Sequence, residues 1–189
     1  MRSGAGVAVG MSSTLTPPTS TTEALCLQDA PSASELAIVR APTLRDAVAA
    51  SCFDLCEGRP DLLAHALYAS APGEPLSPLG KLFGEDAISH GELASALFRL
   101  GGEGTYLTAA ALRTGAPVWT DSIPRRGWKG LGRVLTLHGV KSGGAFPIVV
   151  GERVGAVIEL LSFDKLQCDL ASEALATELA GRLAARYTL

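Results

Sequence analysis

Histidine and cysteine carry the most reactive side chains of this sequence, and their spacing limits the chemistry they could perform. The histidines at 65, 90 and 138 are too far apart to form the short ligand pairs typical of zinc sites. Cys52 and Cys56 are four residues apart, so a helix would present both thiols on one face, with His65 not far along the chain. No fourth zinc ligand is evident, and free cysteines commonly fill hydrophobic cores. We therefore predict that these cysteines are structural and that the chain has no metal site.

The sequence lacks the glycine-rich motifs of nucleophilic and phosphate chemistry. It contains no Gly-x-Ser-x-Gly turn and no phosphate-binding loop. The stretch Gly101-Gly102-Glu103-Gly104 lacks the Lys and Ser/Thr that would contact phosphate and magnesium. We expect it instead to shape the approach to a helix that begins at Thr105. Non-enzymatic functions are favoured.

Aromatic residues provide the candidates for a ligand site. The two tryptophans are near each other in sequence, and a flat apolar wall is a common way to hold a planar ligand. The residues predicted to converge on one side of the sheet are Trp119, Trp128, Val134, His138, Phe146 and, as a weaker candidate, Tyr106. Ordinary core packing explains Trp119 and Phe146 equally well, and a histidine at a helix end more commonly bonds a carbonyl.

Two apolar runs joined by a tight turn must position these side chains. Residues 145–150 and 154–161 are rich in β-branched residues, and Gly151-Glu152-Arg153 connects them. Both runs are almost continuously apolar, which is typical of central strands covered on both faces. The sequence therefore predicts a buried β-hairpin here.

Helices and further strands are predicted before and after this hairpin in the sequence. Helices are expected from Ser32 or Ser34 to Pro42, from Thr43 to Gly58, within 84–100, and over 105–113, 130–138 and 166–187. Further strands are expected over 62–70, 75–83 and 116–121, with prolines making 75–83 an edge or broken strand. This order predicts an α+β, layered α/β arrangement with a mostly antiparallel sheet.

Composition predicts the domain organisation and argues against some classes of partner. Residues 1–31 are rich in Gly, Ser, Thr and Pro and are predicted to be a disordered tail, whereas residues 32–189 form one domain. A formal charge of -3 argues against a nucleic-acid surface, which requires clustered Lys and Arg. No apolar run is long enough to cross a membrane, and no secretory signal is evident, so a cytoplasmic location is expected.

Several motifs of the C-terminal half resemble those of a known family. They are Gly139-Val140-Lys141-Ser142, Ala145-Phe146-Pro147-Ile148, the run from Gly151 to Ser162, and Arg113-Thr114-Gly115-Ala116-Pro117-Val118-Trp119. Together they resemble the closing hairpin and the preceding helix, turn and strand of a GAF domain. The resemblance implies a central sheet with the terminal helices on one face and a small-molecule pocket on the other. It also implies a homodimer built by the terminal helices, for which the last helix has suitable apolar edges.

Departures from the family's motifs argue against some of the ligands that the family binds. The segment Pro124-Arg125-Arg126-Gly127-Trp128 lacks the cysteine that attaches a bilin in phytochromes, so covalent bilin is not expected. Phe163-Asp164-Lys165 does not reproduce the signature of cyclic-nucleotide-binding members. The branch that reduces free methionine sulfoxide has cysteines around its pocket, and none falls between Cys56 and Cys168 here. The sequence therefore identifies no cofactor.

The sequence supports three hypotheses. The preferred one is a stand-alone GAF-like sensory or regulatory domain that binds a small molecule and signals through a dimer or a partner surface. Since 189 residues leave no room for an output domain, a separate output protein is expected. The alternatives are a ligand-free protein-interaction module and a thiol-based reductase of the free methionine sulfoxide reductase type.

Overall fold

Five strands form one antiparallel sheet. A computed structural model describes residues 38, 40–71, 73–123, 131–165 and 170–187. Its strands are β1 (Leu62–Tyr68), β2 (Ser77–Pro78), β3 (Val118–Thr120), β4 (Ser142–Val150) and β5 (Arg153–Ser162). Their order across the sheet is β2-β1-β5-β4-β3, with every neighbouring pair antiparallel. The predicted mostly antiparallel sheet is confirmed.

The predicted hairpin lies at the centre of this sheet. Strands β4 and β5 pair around Gly151, whose φ of 64° glycine adopts without steric cost. Residues 142–148 of β4 and 156–162 of β5 are all buried, because both faces of the hairpin are covered. The continuous apolar runs thus indicated central strands correctly.

The strand predicted over residues 75–83 is much shorter in the structure. Only Ser77–Pro78 pairs with β1 as a strand, and Phe83 adds an isolated bridge to Ala64. Pro78 has no amide hydrogen to donate to a ladder, and Gly80 follows at a φ of 73°. The expected edge strand is therefore broken after two residues, as its prolines allowed.

In the described part of the chain, five α-helices with defined bounds cover the sheet, two on one face and three on the other. They are α1 (Leu44–Cys56), α2 (Gly91–Arg99), α3 (Tyr106–Thr114), α4 (Leu131–Leu137) and α5 (Leu170–Tyr187). Helices α1 and α5 bury apolar residues such as Val48, Cys52 and Leu183 against one face. Helices α2, α3 and α4 bury residues such as Leu97 and Leu135 against the other face. The α+β class and the placement of both terminal helices on one face are confirmed.

The terminal helices α1 and α5 are linked by hydrogen bonds where α1 begins. Thr43 caps α1 by accepting a hydrogen bond from the backbone N–H of Asp46, as the predicted helix start requires. The Tyr187 hydroxyl near the end of α5 donates to the carbonyls of Ala41 and Thr43, at 3.0 Å each. These contacts fix the end of α5 beside the start of α1.

Several predicted segments lie outside the described residues. They are the N-terminal tail at 1–31, most of the helix expected before Pro42, and residues 124–130 of the loop that carries Trp128. Within the described part of the chain, no helix has the length and apolar character needed to cross a lipid bilayer.

Gly144 on β4 provides a test of the packing between strand and ring. A Cβ at Gly144 would lie 2.3 Å from Cε3 of the Trp119 ring, so Gly144→Ala must displace the ring. We expect the free energy of unfolding to fall by about 1–3 kcal/mol, measured by urea denaturation. Gly181→Ala in α5 is the control, because no atom lies within 4 Å and alanine favours a helix. Equal stability of Gly144→Ala and the wild type would contradict this packing.

Candidate functional site

An imidazole and a carboxyl group lie side by side in the middle of the sheet. His65 on β1 and Glu159 on β5 are register partners, and Ala145 on β4 is the next residue of the same row. Side chains alternate between the faces of a strand. Leu63 and Val157 are two residues away from His65 and Glu159 on the same strands, so they point to the same face of the sheet. They pack in the core beneath α2, α3 and α4. The row therefore places two titratable groups on the face opposite the terminal helices.

Glu159 is tied to the first turn of α3. Its side chain is completely buried, and its oxygens accept hydrogen bonds from the hydroxyls of Thr105 and Thr108, the latter at 3.3 Å. Thr105 is also the N-cap of α3, since its hydroxyl oxygen accepts from the backbone N–H groups of Leu107 and Thr108. The helix dipole places partial positive charge at this end. The buried carboxylate is thus stabilised by two hydroxyl donors and a helix N-terminus.

The glycine-rich stretch before α3 sets this geometry. Gly104 has a φ of 59°, and a Cβ there would lie 2.5 Å from Cγ2 of Thr108. Only glycine allows the backbone to approach Thr108 so closely while turning into the cap at Thr105. The prediction that residues 101–104 shape the approach to this helix is confirmed.

His65 is buried without a hydrogen-bond partner among the described residues. Its exposure is 0%, and neither ring nitrogen has a hydrogen-bond partner. The Nδ1 atom is 3.7 Å from Oε2 of Glu159, which is within ion-pair range but beyond a good hydrogen bond. The ring lies 5.7 Å from that of Phe98, centroid to centroid. A buried unpaired polar group costs about 1–3 kcal/mol, so this imidazole has bonding capacity that the described fold leaves unused.

This cluster can bind the polar groups of a ligand. Glu159 has lone pairs beyond the two that the threonine hydroxyls occupy, and His65 can act as donor or acceptor according to its tautomer. No Lys or Arg is among the fully buried described residues. The described cluster therefore suits a ligand that is rich in donors.

The residues predicted for the ligand site do not converge. Trp119 and Phe146 pack edge to face, with centroids 4.5 Å apart, in the core beneath the terminal helices. Val134 packs in the core of the opposite face, and Tyr106 on α3 is 59% exposed. The expectation that they face one side of the sheet is wrong, because strand alternation sends Trp119 and Phe146 to the terminal-helix face. Trp128 lies outside the described residues.

His138 has a different neighbour from the one predicted. It follows α4, and its Nδ1 is 3.2 Å from Nδ1 of His90, which precedes α2. His138 Nε2 is 3.9 Å from Oε2 of Glu92, and the His90 ring stacks on Phe163. This histidine pair lies on the same side of the sheet as α2 and α4, which it links.

The two described cysteines lie on the other face. Cys52 and Cys56 are buried beneath α1, and Sγ of Cys56 donates to the carbonyl of Phe83 at 3.7 Å. Burial raises the pKa of Cys56 to about 11, and burial together with the neighbouring Cys56 raises that of Cys52. No group of three potential metal ligands occurs among the described residues. A zinc site shared by His65 and these thiols is excluded by the sheet that separates them.

Sequence reasoning did not single out Glu159 as a site residue. The available signal was a glutamate in the middle of the apolar run 154–161, and a histidine within the apolar segment 62–68. A charged residue in a strand covered on both faces must have buried partners. Its partners at Thr105 and Thr108 are more than 50 residues away in sequence, so only the fold identifies them.

Removal of the cap hydroxyl should destabilise the protein strongly. Thr105→Ala deletes the N-cap of α3 and one donor to the buried Glu159. We expect a loss of at least about 2 kcal/mol in the free energy of unfolding, measured by urea denaturation. Thr105→Ser retains the hydroxyl and should recover most of the loss. Equal stability of the alanine and serine variants would contradict this role.

The buried thiols should be inert in the native protein. A Cys26→Ser/Cys168→Ser variant keeps Cys52 and Cys56 as the only cysteines that a thiol reagent could modify. With its pKa raised to about 11, Cys56 is ionised to about one part in a thousand at pH 8. We expect negligible native modification at pH 8, a rate that rises with pH, and complete modification in urea. Rapid native modification at pH 8 would contradict the burial of both thiols.

Comparisons with known proteins identify the fold. No protein-family model matches the chain, and no curated protein matches it. Among solved structures, the GAF domain from an Acinetobacter phosphoenolpyruvate-protein phosphotransferase matches with a TM-score of 0.54 and 11% identity, covering 80% of this chain and 86% of that chain. The GAF domain/HD domain protein from Geobacter sulfurreducens has a TM-score of 0.55 and 14% identity, covering 75% and 90%.

An enzyme is also among the structural matches. The free methionine-R-sulfoxide reductase from Neisseria meningitidis, solved in complex with its substrate, has a TM-score of 0.55 and 14% identity, covering 82% of this chain and 83% of that chain. At such identities the likeness concerns the fold alone. The antiparallel sheet, the two terminal helices on one face and the three helices on the other therefore constitute a GAF-like fold.

Proposed function

We propose that this protein is a sensory or regulatory domain that binds a small molecule at the sheet face beneath α2, α3 and α4. The observation that carries the proposal is the buried His65 imidazole, which has no hydrogen-bond partner beside the buried carboxylate of Glu159. A ligand with polar donor groups would satisfy both residues. GAF-like folds serve generally as sensory and regulatory domains, which supports the same assignment.

The contacts of Glu159 suggest how ligand binding would be transmitted. The same carboxylate fixes the N-terminus of α3 through Thr105 and Thr108. A ligand that competes with these hydroxyls, or that pairs with His65, favours one position of α3 over another. Such a ligand shifts the balance between two states by its difference in affinity for them.

Strand β5 connects this site with the opposite face. Ile158 and Leu160, which flank Glu159, point to the core beneath the terminal helices. Phe53 on α1 is 62% exposed and offers an apolar surface for pairing. We propose that the protein forms a homodimer through α1 and α5, that it acts on a separate output protein, and that it does so in the cytoplasm.

An interaction module without ligand is the first alternative. In such a module the face beneath α2, α3 and α4 would simply be filled by side chains. Well-packed apolar residues of similar volume are often as stabilising as a buried charged pair, or more so. A filled core would therefore gain nothing from an unpaired imidazole at its centre, which favours the ligand-binding proposal.

A thiol reductase is the second alternative, and one structural match supports it. The described Cys52 and Cys56 lie on the face opposite Glu159, and burial raises the pKa of both. Catalysis would therefore have to use Cys26 or Cys168. Turnover of free methionine sulfoxide with a thiol reductant, abolished by Cys168→Ser or Cys26→Ser, would support this alternative over the sensor.

Native mass spectrometry of protein purified from its own host tests the proposal. We expect a dimer that retains a small molecule, and Phe53→Glu should shift it to monomer. Glu159→Gln, which preserves shape, should lower ligand occupancy at least about tenfold, because it replaces one of the two acceptor oxygens with a donor group. Ile148→Val, in the core beneath the terminal helices, is the matched control and should retain the ligand.

Two outcomes would contradict this proposal. If Trp119→Phe abolishes retention and Glu159→Gln does not, the ligand binds at the aromatic residues predicted from sequence. If the purified protein carries no ligand, and no compound of a metabolite panel raises its melting temperature, the interaction module is favoured.

A further inference from the structure

Two histidines that are 48 residues apart in sequence meet beside the helical layer. The Nδ1 atoms of His90 and His138 are 3.2 Å apart, and the rings are arranged edge to face. The His90 ring stacks on Phe163 with centroids 4.9 Å apart, which fixes its plane. At this distance one ring nitrogen donates a hydrogen bond to the other, and the tautomers decide which ring is the donor.

We propose that His90 and His138 together bind a divalent transition-metal ion of the zinc and copper class through their Nδ1 atoms. Zinc binds histidine nitrogen at about 2.0–2.1 Å with tetrahedral geometry, so two such ligands of one ion are about 3.3 Å apart. The observed separation of 3.2 Å already matches that value. The ring that donates in the pair would first shift its proton from Nδ1 to Nε2, which leaves a lone pair on each Nδ1 for the ion.

The surroundings of the pair also suit a cation. The carboxylate of Glu92 lies 3.9 Å from Nε2 of His138, which is within ion-pair range and places negative charge beside the pair. Asp86 acts on His90 in the direction that favours positive charge. Burial and the neighbouring His138 together lower the pKa of His90.

The pair supplies two protein ligands only. No cluster of three potential metal ligands occurs in the described part of the chain, so water would complete the coordination. We therefore expect an exchangeable ion that is bound more tightly as copper than as zinc. Ligation would cross-link the start of α2 to the end of α4, two helices that cover the sheet face of Glu159.

Nuclear magnetic resonance of the full chain tests this site directly. The sequence contains only three histidines, so their ring signals can be assigned by single substitutions. Addition of zinc alone should shift the ring signals of His90 and His138 and leave those of the buried His65 in place. Unchanged His90 and His138 signals at stoichiometric zinc would overturn the proposal without the need for any variant.

Calorimetry with zinc and with copper gives the independent test. We expect His90→Asn and His138→Asn each to weaken binding by at least about tenfold, in a background that carries Cys26→Ser and Cys168→Ser. His65→Asn is the control and should retain the affinity, with circular dichroism used to verify that each variant is folded. Wild-type affinity in both the His90 and the His138 variants would mean that the ion binds elsewhere, and the site would be rejected. Neither test depends on the proposed small-molecule ligand.

Discussion

The buried carboxylate of Glu159 is the constraint on which the arrangement of the helical layer depends. A charge inside a protein is tolerated only where donors replace the water it has lost. Here those donors are the hydroxyls of Thr105 and Thr108 at the N-terminus of α3. The position of α3 over β5 is therefore set by an electrostatic requirement as well as by apolar packing. The neighbouring His65 lies outside this set of bonds, and neither of its ring nitrogens has a hydrogen-bond partner among the described residues.

The two-sided character of the central strands relates this cluster to the terminal helices. Along β5, Glu159 faces α3 while Ile158 and Leu160 face the core beneath α1 and α5. Neighbouring residues on a strand share one backbone, so a displacement of that backbone moves both side chains. A change at the Glu159 face therefore has a direct mechanical route to the face proposed for dimerisation.

The histidine pair and the cysteines show how burial decides chemical availability. Cys52 and Cys56 have metal-binding and nucleophilic side chains at a helical spacing, yet burial raises their pKa values and keeps them protonated. His90 and His138 are adjacent to α2 and α4, and their Nδ1 atoms are 3.2 Å apart. The carboxylates of Glu92 and Asp86 are near this pair. The cysteines, whose spacing in sequence suggested chemistry, are thus buried, whereas the contact between His90 and His138 has no sequence signature.

Local patterns in the sequence determined the elements of this protein. Continuous apolar runs around Gly151 predicted the central hairpin, Thr43 and Thr105 marked the starts of two helices, and the motifs from Arg113 to Ser162 indicated the GAF-like fold. Such features depend on neighbours within a few residues, so the sequence alone reveals them. The meeting of Glu159 with Thr105, of His65 with Glu159, and of His90 with His138 depends on sheet register and helix packing across about 50 to 90 residues. Only the tertiary structure decided those contacts, and it placed Trp119 and Phe146 on the opposite face, because side-chain direction follows strand alternation once the register is fixed.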